Sequence, residues 1–350
     1  MNKVWKLAFY TVILSLLVTA CGNSDNARQA EDTHQSPAAG AIEQVEVDRM
    51  QEESEVAEES IYPVTYADAL GKQVVIEQEP ERVISVMHVL YPDVLLSLGI
   101  VPVGIASADT QFSTWEAYQS YVEKHEFVDI GEPRNPNIEK ILSLQPDLIL
   151  AAANVHDALY DQLQAIAPVV YFDQRKMQTD RTYAVQEISK ALGMQAQGEA
   201  VLAQVDEKIK EGRSALANFT AKGETVLFAT NYKNGNFGVY GQNIAPTNPG
   251  NGLGLTVPDN YPEDITKEIS LEGLSVLNPD HLFIFLDKSE RGQTIAEEEL
   301  KAYEDSSVWN SIAAVKNGNV YIVDRSLFAQ DAPLATIYGI DQVVDILKDK

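Results

Sequence analysis

From Ile61 onward the chain alternates short apolar runs with stretches whose apolar residues recur every three or four positions. Val83–Val86, Val103–Ala106, Asp147–Ala152 and Val169–Phe172 read as strands. Tyr91–Leu98, Ile138–Leu144 and Ala158–Ile166 read as helices between them. Apolar runs separated by helices imply parallel strands covered on both faces. From about Thr179 to Leu216, Tyr183, Ile188, Leu192, Val201, Leu202, Val205 and Ile209 fall near helical spacing, with breaks expected at Gly193 and Gly198. The alternation then restarts with strands at Val226–Ala229, Phe237–Tyr240, Leu282–Leu286 and Val320–Val323, helices between them, and a last helix over Leu334–Leu347.

The expected fold is α/β: two Rossmann-like lobes with central parallel sheets joined by a long α-helix. The N-terminal lobe covers residues 61–177, the connecting helix 178–197 and the C-terminal lobe 198–350. A helical connector is stiff, so lobe closure should be small.

One segment occurs twice, once in each lobe. Asn137-Ile138-Glu139 leads through Leu144-Gln145 to Pro146-Asp147; Ser270-Leu271-Glu272 leads through Leu277-Asn278 to Pro279-Asp280. In both, eight positions separate the glutamate from the aspartate. Asn137 and Ser270 are N-cap residues, each glutamate lies in a first helical turn, and each proline ends the helix and launches a buried strand. A favourable charge at a helix start explains either glutamate alone. Two at matching positions form a pseudo-symmetric pair on the lobe tips, suited to a two-fold partner.

The first 60 residues follow another pattern. Lys3 and Lys6 precede an apolar run from Leu7 to Val18, then Thr19, Ala20 and the chain's single cysteine, Cys21. That is the secretory arrangement, and the run is shorter than a spanning helix requires. Residues 1–20 are the expected signal peptide. Leu17-Val18-Thr19-Ala20-Cys21-Gly22 resembles a bacterial lipobox, with Val18 where leucine is usual; the likeness implies acylation of Cys21. Residues 22–60 hold 11 acidic and 2 basic residues and no aromatic one, too little apolar surface to offset chain entropy. Residues 21–60 are therefore expected to be an acidic, disordered tether reaching roughly 35 Å.

The net charge of −26 would repel nucleic acid and anionic membrane, so neither is an expected partner beyond the lipid anchor. No Gly-x-Ser-x-Gly elbow, Walker-type loop or metalloprotease helix occurs, and the expectation is that the chain is not an enzyme. An enzyme acting on a metal chelate is the rival from that class. His88, His125, His156 and His281 have no short ligand spacing, so no directly bound metal is expected.

The two repeats, the helical spine and the lipobox look like the siderophore and cobalamin class of ABC-importer binding proteins, over about Tyr62 to Lys350. The likeness implies a monomeric lipoprotein on the outer face of the cytoplasmic membrane. The long tether suits a Gram-positive wall; the periplasm is the alternative. It implies capture of an Fe(III)–siderophore complex without a resident cofactor, haem or cobalamin being alternatives within the class. It also implies that Glu139 and Glu272 dock into arginine pockets on two permease subunits.

Ligands of such folds lie at the carboxyl ends of strands. That rule nominates His88 and Tyr91 after the first strand, Asn154 after the strand ending near Ala152, and Arg175 after Phe172. In the second lobe it nominates Tyr232, Lys233 and Tyr240, then Arg325 after the last strand. Arg134, before the first repeat, is the leading nomination, because hydroxamate binders of this class often place an arginine there. Residues 61–350 contain seven arginines, few of them at the expected cleft, which favours a hydroxamate or mixed hydroxamate–carboxylate ligand over a trianionic catecholate.

Overall fold

The computed structural model describes residues 61–232, 235–241, 246–263, 266–286 and 300–350. The signal peptide, Cys21, the tether and Lys233 lie outside these residues. The described chain begins with an antiparallel hairpin of β1 (Val64–Ala67) and β2 (Gln73–Ile76), its turn held by Asp68, whose carboxylate accepts from the Leu70 and Lys72 amides. Tyr66 and Ile76 bury one side of it in the first core.

The first lobe is a five-stranded sheet with every pairing parallel. Its strands are β3 (Val83–Ser85), β4 (Gly104–Ile105), β5 (Val128–Asp129), β8 (Leu148–Ala153) and β9 (Val169–Asp173), in the order β5-β4-β3-β8-β9. Between β5 and β8, the short strands β6 (Gly131–Glu132) and β7 (Asn135–Pro136) form a hairpin. All six residues of β8 are buried, as an apolar run covered by helices on both faces requires. Helices α1 (Leu90–Ser97) and α2 (Ile138–Ser143) belong to this lobe.

The second lobe is mixed. Its strands β10 (Val226–Asn231), β11 (Phe237–Tyr240), β12 (Thr266–Ile269), β13 (His281–Leu286) and β14 (Val320–Asp324) order as β12-β11-β10-β13-β14. β10, β13 and β14 are parallel, whereas β11 and β12 run antiparallel. Only residues 232–236 separate β10 from β11, too few for a crossover, so Phe237–Tyr240 folds back as a hairpin instead of following a helix. β12 is a polar edge strand without the apolar alternation that would reveal it.

The crossing between lobes falls later than residues 178–197. Asp180 caps α3 (Arg181–Ala191), accepting from the Tyr183 amide, and the chain breaks at Gly193, where φ is +70°. The 21-residue α4 (Gln195–Ala215) then runs about 30 Å. Val201 packs in the first lobe's core, and Val205 and Ile209 pack in the second's. Gly198 does not break α4. A Cβ there would lie 2.4 Å from Ser189 Oγ, so its glycine permits the close approach of α3. Beyond α5 (Leu271–Leu277), a second helix crosses the boundary. Ala332 and Ala335, at the start of α6 (Pro333–Leu347), pack in the first core, while Ile340, Val343 and Leu347 pack in the second.

The start of α6 has no cap from its own segment. Asp93 of α1, fully buried, supplies it from the other lobe. Its carboxylate accepts from the Leu334 amide at 2.9 Å, the Ala335 amide at 3.0 Å and the Tyr118 hydroxyl at 2.9 Å. Beside it Arg181, also buried, donates to Asp331 at 3.0 Å, to Thr336 and to the Asn251 carbonyl. Burial pushes the Asp93 carboxyl up to about 7 against the opposing pull of its hydrogen bonds. Burial also raises Asp331 to about 6, with Arg181 pulling it back.

Asp93→Ala is expected to cost about 3 kcal/mol of stability, since two amides and a phenol lose their buried acceptor; urea unfolding measures it. Both carboxyls hold protons more tightly folded than unfolded, where an aspartate titrates near 4. Their stabilisation is therefore complete below about pH 4 and fades as pH rises through 6 to 7. Urea midpoints should accordingly rise between pH 8 and pH 5.5, with a shallower slope in Asp93→Asn, which cannot titrate.

Candidate functional site

A cleft with about 1050 Å³ of empty space, its open mouth included, lies where the strand ends of the two lobes meet. The first lobe gives it His88, just past β3, and Trp115 from an irregular segment between β4 and β5. The second gives Phe228 of β10, Tyr240 of β11, Phe285 of β13 and the loop after β14 from Arg325 to Asp331. The size suits a chelate, and carboxyl ends of parallel strands are where α/β folds leave backbone groups open to a ligand.

The walls are aromatic and mutually braced. Tyr240 meets Phe285 edge-on at 4.9 Å, and Phe328 meets Phe228 edge-on at 6.4 Å. The Tyr240 hydroxyl shares a hydrogen bond with Thr230 Oγ1 at 3.2 Å. Trp115 is 5% exposed and directly precedes two fixed points. The next two amides cross to the other lobe: Glu116 N–H donates to Asp324 Oδ1 at 3.2 Å and Ala117 N–H to Ser326 Oγ at 3.1 Å. Asp324 and Ser326 flank Arg325, so the same backbone clamp ties the Trp115 segment of one wall to the Arg325 segment of the other.

The floor loop takes an uncommon backbone. Phe328, Gln330 and Asp331 have φ of +55°, +52° and +53°, and Val89, next to His88, has +61°, an outlier for a β-branched residue. Such conformations persist where surrounding packing over-determines them, and they gather at ligand sites. Burial and the Arg325 charge both lower the His88 pKa below its usual range, so its imidazole is neutral at neutral pH.

Of the residues nominated from sequence, His88, Tyr240 and Arg325 line this cleft. The other described nominees are not among its lining residues. Tyr91 is fully buried, edge-on to Phe172 at 5.6 Å with its hydroxyl on Gln174, a packing role that its helical position conceals. Asn154 takes a left-handed turn, φ +66°, and its amide bonds Asp157. Arg175 is exposed in the first turn of the helix Gln174–Thr179, capped by Asp173. Tyr232 packs its ring over Gly238, where a Cβ would come within 2.3 Å of the hydroxyl. Arg134 is exposed at the tip of the β6–β7 hairpin and is not among the cleft-lining residues. His156 pins that hairpin: its Nε2–H donates to the Pro133 carbonyl while Nδ1 accepts from the Ala152 amide. Sequence reasoning passed over Trp115, which follows no recognisable strand, and Gln330, which lies in the loop after the last strand but carries no charge.

The two repeats adopt matching structures. Asn137 Oδ1 accepts from the Lys140 amide and Ser270 Oγ from the Gly273 amide, capping α2 and α5. Gln145 and Asn278, each just before proline, are left-handed at φ +47° and +45°. Asp147 then accepts from the Glu81 and Arg82 amides, and Asp280 from the Thr225 amide and hydroxyl, fastening the residues that lead into β3 and β10. Glu139 and Glu272 remain exposed in the first turns, and hydrogen bonds from its own amide and from Ser270 lower the Glu272 pKa. One turn on, exposed Leu142 and Val276 lie on the same helix faces as the glutamates.

Among the described residues no group of three or more His, Cys, Asp or Glu side chains is gathered to hold a metal ion. Two curated relatives come from Bacillus subtilis (strain 168). The Fe(3+)-citrate-binding protein YfmC is 31% identical over 254 residues, covering 72% of this chain and 75% of that one. The Iron(3+)-hydroxamate-binding protein YxeB is 27% identical over 305 residues, covering 84% and 88%. Staphylococcus aureus SirA, solved in complex with staphyloferrin B, matches the fold with a TM-score of 0.64 at 23% identity, over 82% of this chain and 97% of that chain. Residues 84–327, from β3 into the loop after β14, match the periplasmic binding protein family, and with well over half its length so matched the chain belongs to that family.

Proposed function

We propose that this chain is the substrate-binding lipoprotein of an ABC importer, capturing a ferric siderophore outside the cell and presenting it to a membrane permease. The observation that carries this is the aromatic cleft between two lobes of a periplasmic binding protein fold, at the strand ends that such folds use for ligands. The names of the relatives, one a ferric citrate binder and one a ferric hydroxamate binder, point to the same chemistry. Within it we favour a hydroxamate or mixed hydroxamate–carboxylate complex, whose partly apolar surface suits walls built from Trp115, Phe228, Tyr240, Phe285 and Phe328. His88, Tyr240 and Arg325 are the nominated residues best placed to touch it.

In this reading residues 1–20 are removed as a signal peptide, Cys21 carries the lipid, and residues 21–60 tether the two lobes outside the cytoplasmic membrane of a Gram-positive cell. The protein works as a monomer and performs no chemistry on its cargo. Glu139 and Glu272 meet arginines on the two permease subunits through charge-assisted contacts, and the adjoining Leu142 and Val276 add apolar area to each contact. The equivalence of the two tips supports a partner with two like subunits.

Fluorescence titration of residues 61–350 with ferric hydroxamate, catecholate and citrate complexes, haem and cobalamin is the direct test. Saturable quenching by one ferric chelate class, kept in Trp309→Phe because Trp115 lines the cleft, is expected. A response to haem or cobalamin alone would overturn the siderophore reading. Glu139→Ala combined with Glu272→Ala should abolish uptake by cells while changing chelate affinity less than twofold. Equal losses of uptake and affinity would refute the docking role.

A further inference from the structure

Three residues lining the cleft each bury a polar atom that has no hydrogen-bond partner: Trp115 Nε1, His88 Nδ1 and Gln330 Oε1. Buried polar atoms in folded proteins are nearly always paired, because leaving one desolvated and unpaired costs about 1–3 kcal/mol. Such atoms also occur away from the cleft, as at Asp68, but here three belong to residues that line one cavity. Two of the three sit on bonded backbone segments. The Trp115 segment is bonded across the cleft through Glu116 and Ala117, and Gln330 sits in a left-handed loop closed by the Phe328 and Ala332 amides. Moving the backbone of either segment to bring these atoms to a partner would break those bonds.

We infer that Trp115, His88 and Gln330 are the polar recognition set of the cleft, and that its ligand is an amide-bearing ferric chelate. This inference rests on the transport reading above. The indole N–H can only donate, so it requires an acceptor such as a carbonyl oxygen on the ligand. The Gln330 amide oxygen can only accept, so it requires a ligand N–H or O–H. A secondary amide in the backbone of a chelator presents both, and its methylene arms lie against the rings of Phe228, Phe285 and Phe328. Neutral His88 completes the set with one further hydrogen bond. Ferric citrate offers acceptors for the indole but no amide N–H for Gln330, so the set selects against it.

The test measures binding of ferric desferrioxamine B, an amide-bearing tris-hydroxamate complex, and of ferric citrate by isothermal titration calorimetry. Wild-type protein is compared with Trp115→Phe, Gln330→Met and His88→Phe, each of similar shape, with thermal melts to verify folding. Wild type should bind ferric desferrioxamine B more tightly than ferric citrate, and each variant should lose about tenfold in affinity for the former. Unchanged affinity in folded Trp115→Phe and Gln330→Met would overturn the recognition set and leave the transport reading intact. Preference for ferric citrate would overturn the amide assignment. Binding of no ferric chelate by wild type would overturn both the inference and the reading beneath it.

Discussion

The carboxylate of Asp93 occupies a place where the two lobes cannot be separated without breaking a helix. Helix α6 begins inside the first lobe and ends in the core of the second, and its opening amides have Asp93 as their acceptor. A helix start buried without such a partner would leave desolvated N–H groups, so the first lobe is part of the folding of α6. The Arg181–Asp331 pair adds a second buried joint within a few residues of it. α4 crosses the same boundary, and Gly212 lets it close against α6: a Cβ there would meet Ile340 and Leu253 at 2.7 Å. Two packed helices and a shared cap make the boundary between lobes a piece of core.

The cleft inherits that rigidity. Its indole, guanidinium and floor loop all belong to segments bonded directly across the boundary or adjoining α6. A site built this way is organised before the ligand arrives, and little ordering entropy remains to oppose binding. The left-handed residues of the floor loop fit the same picture, since strained backbone survives only where neighbouring structure holds it.

Much of this architecture was legible in the chain because it is written locally. Runs such as Leu148–Ala153 declare a covered strand, and the Asn-Pro-Asp and Gln-Pro-Asp steps declare helix ends wherever they occur. The matching glutamates were visible for the same reason. The cleft was only partly legible. His88, Tyr240 and Arg325 follow strands and could be found by rule, whereas Trp115 belongs to a segment of short 3-10 turns whose position is set by bonds to residues about 210 places away. Arg181 and Asp331 are 150 positions apart, and nothing local marks either as buried. Gly198 looked like a break because glycine's two uses, freedom and smallness, are indistinguishable in one sequence.

The helices bearing Glu139 and Glu272 end in Pro-Asp steps, and those aspartates fasten the entries to β3 and β10. The lobes in turn are fastened by α4, α6 and Asp93. The span from one glutamate to the other is therefore a gauge length, held by buried groups at the opposite side of each lobe from solvent. If the glutamates dock as proposed, a fixed gauge meets its partner as a caliper with locked jaws, fitting one spacing of receptors and rejecting others. On that proposal an empty and a filled copy would offer nearly the same span, and the partner would distinguish them by the cargo exposed between the jaws.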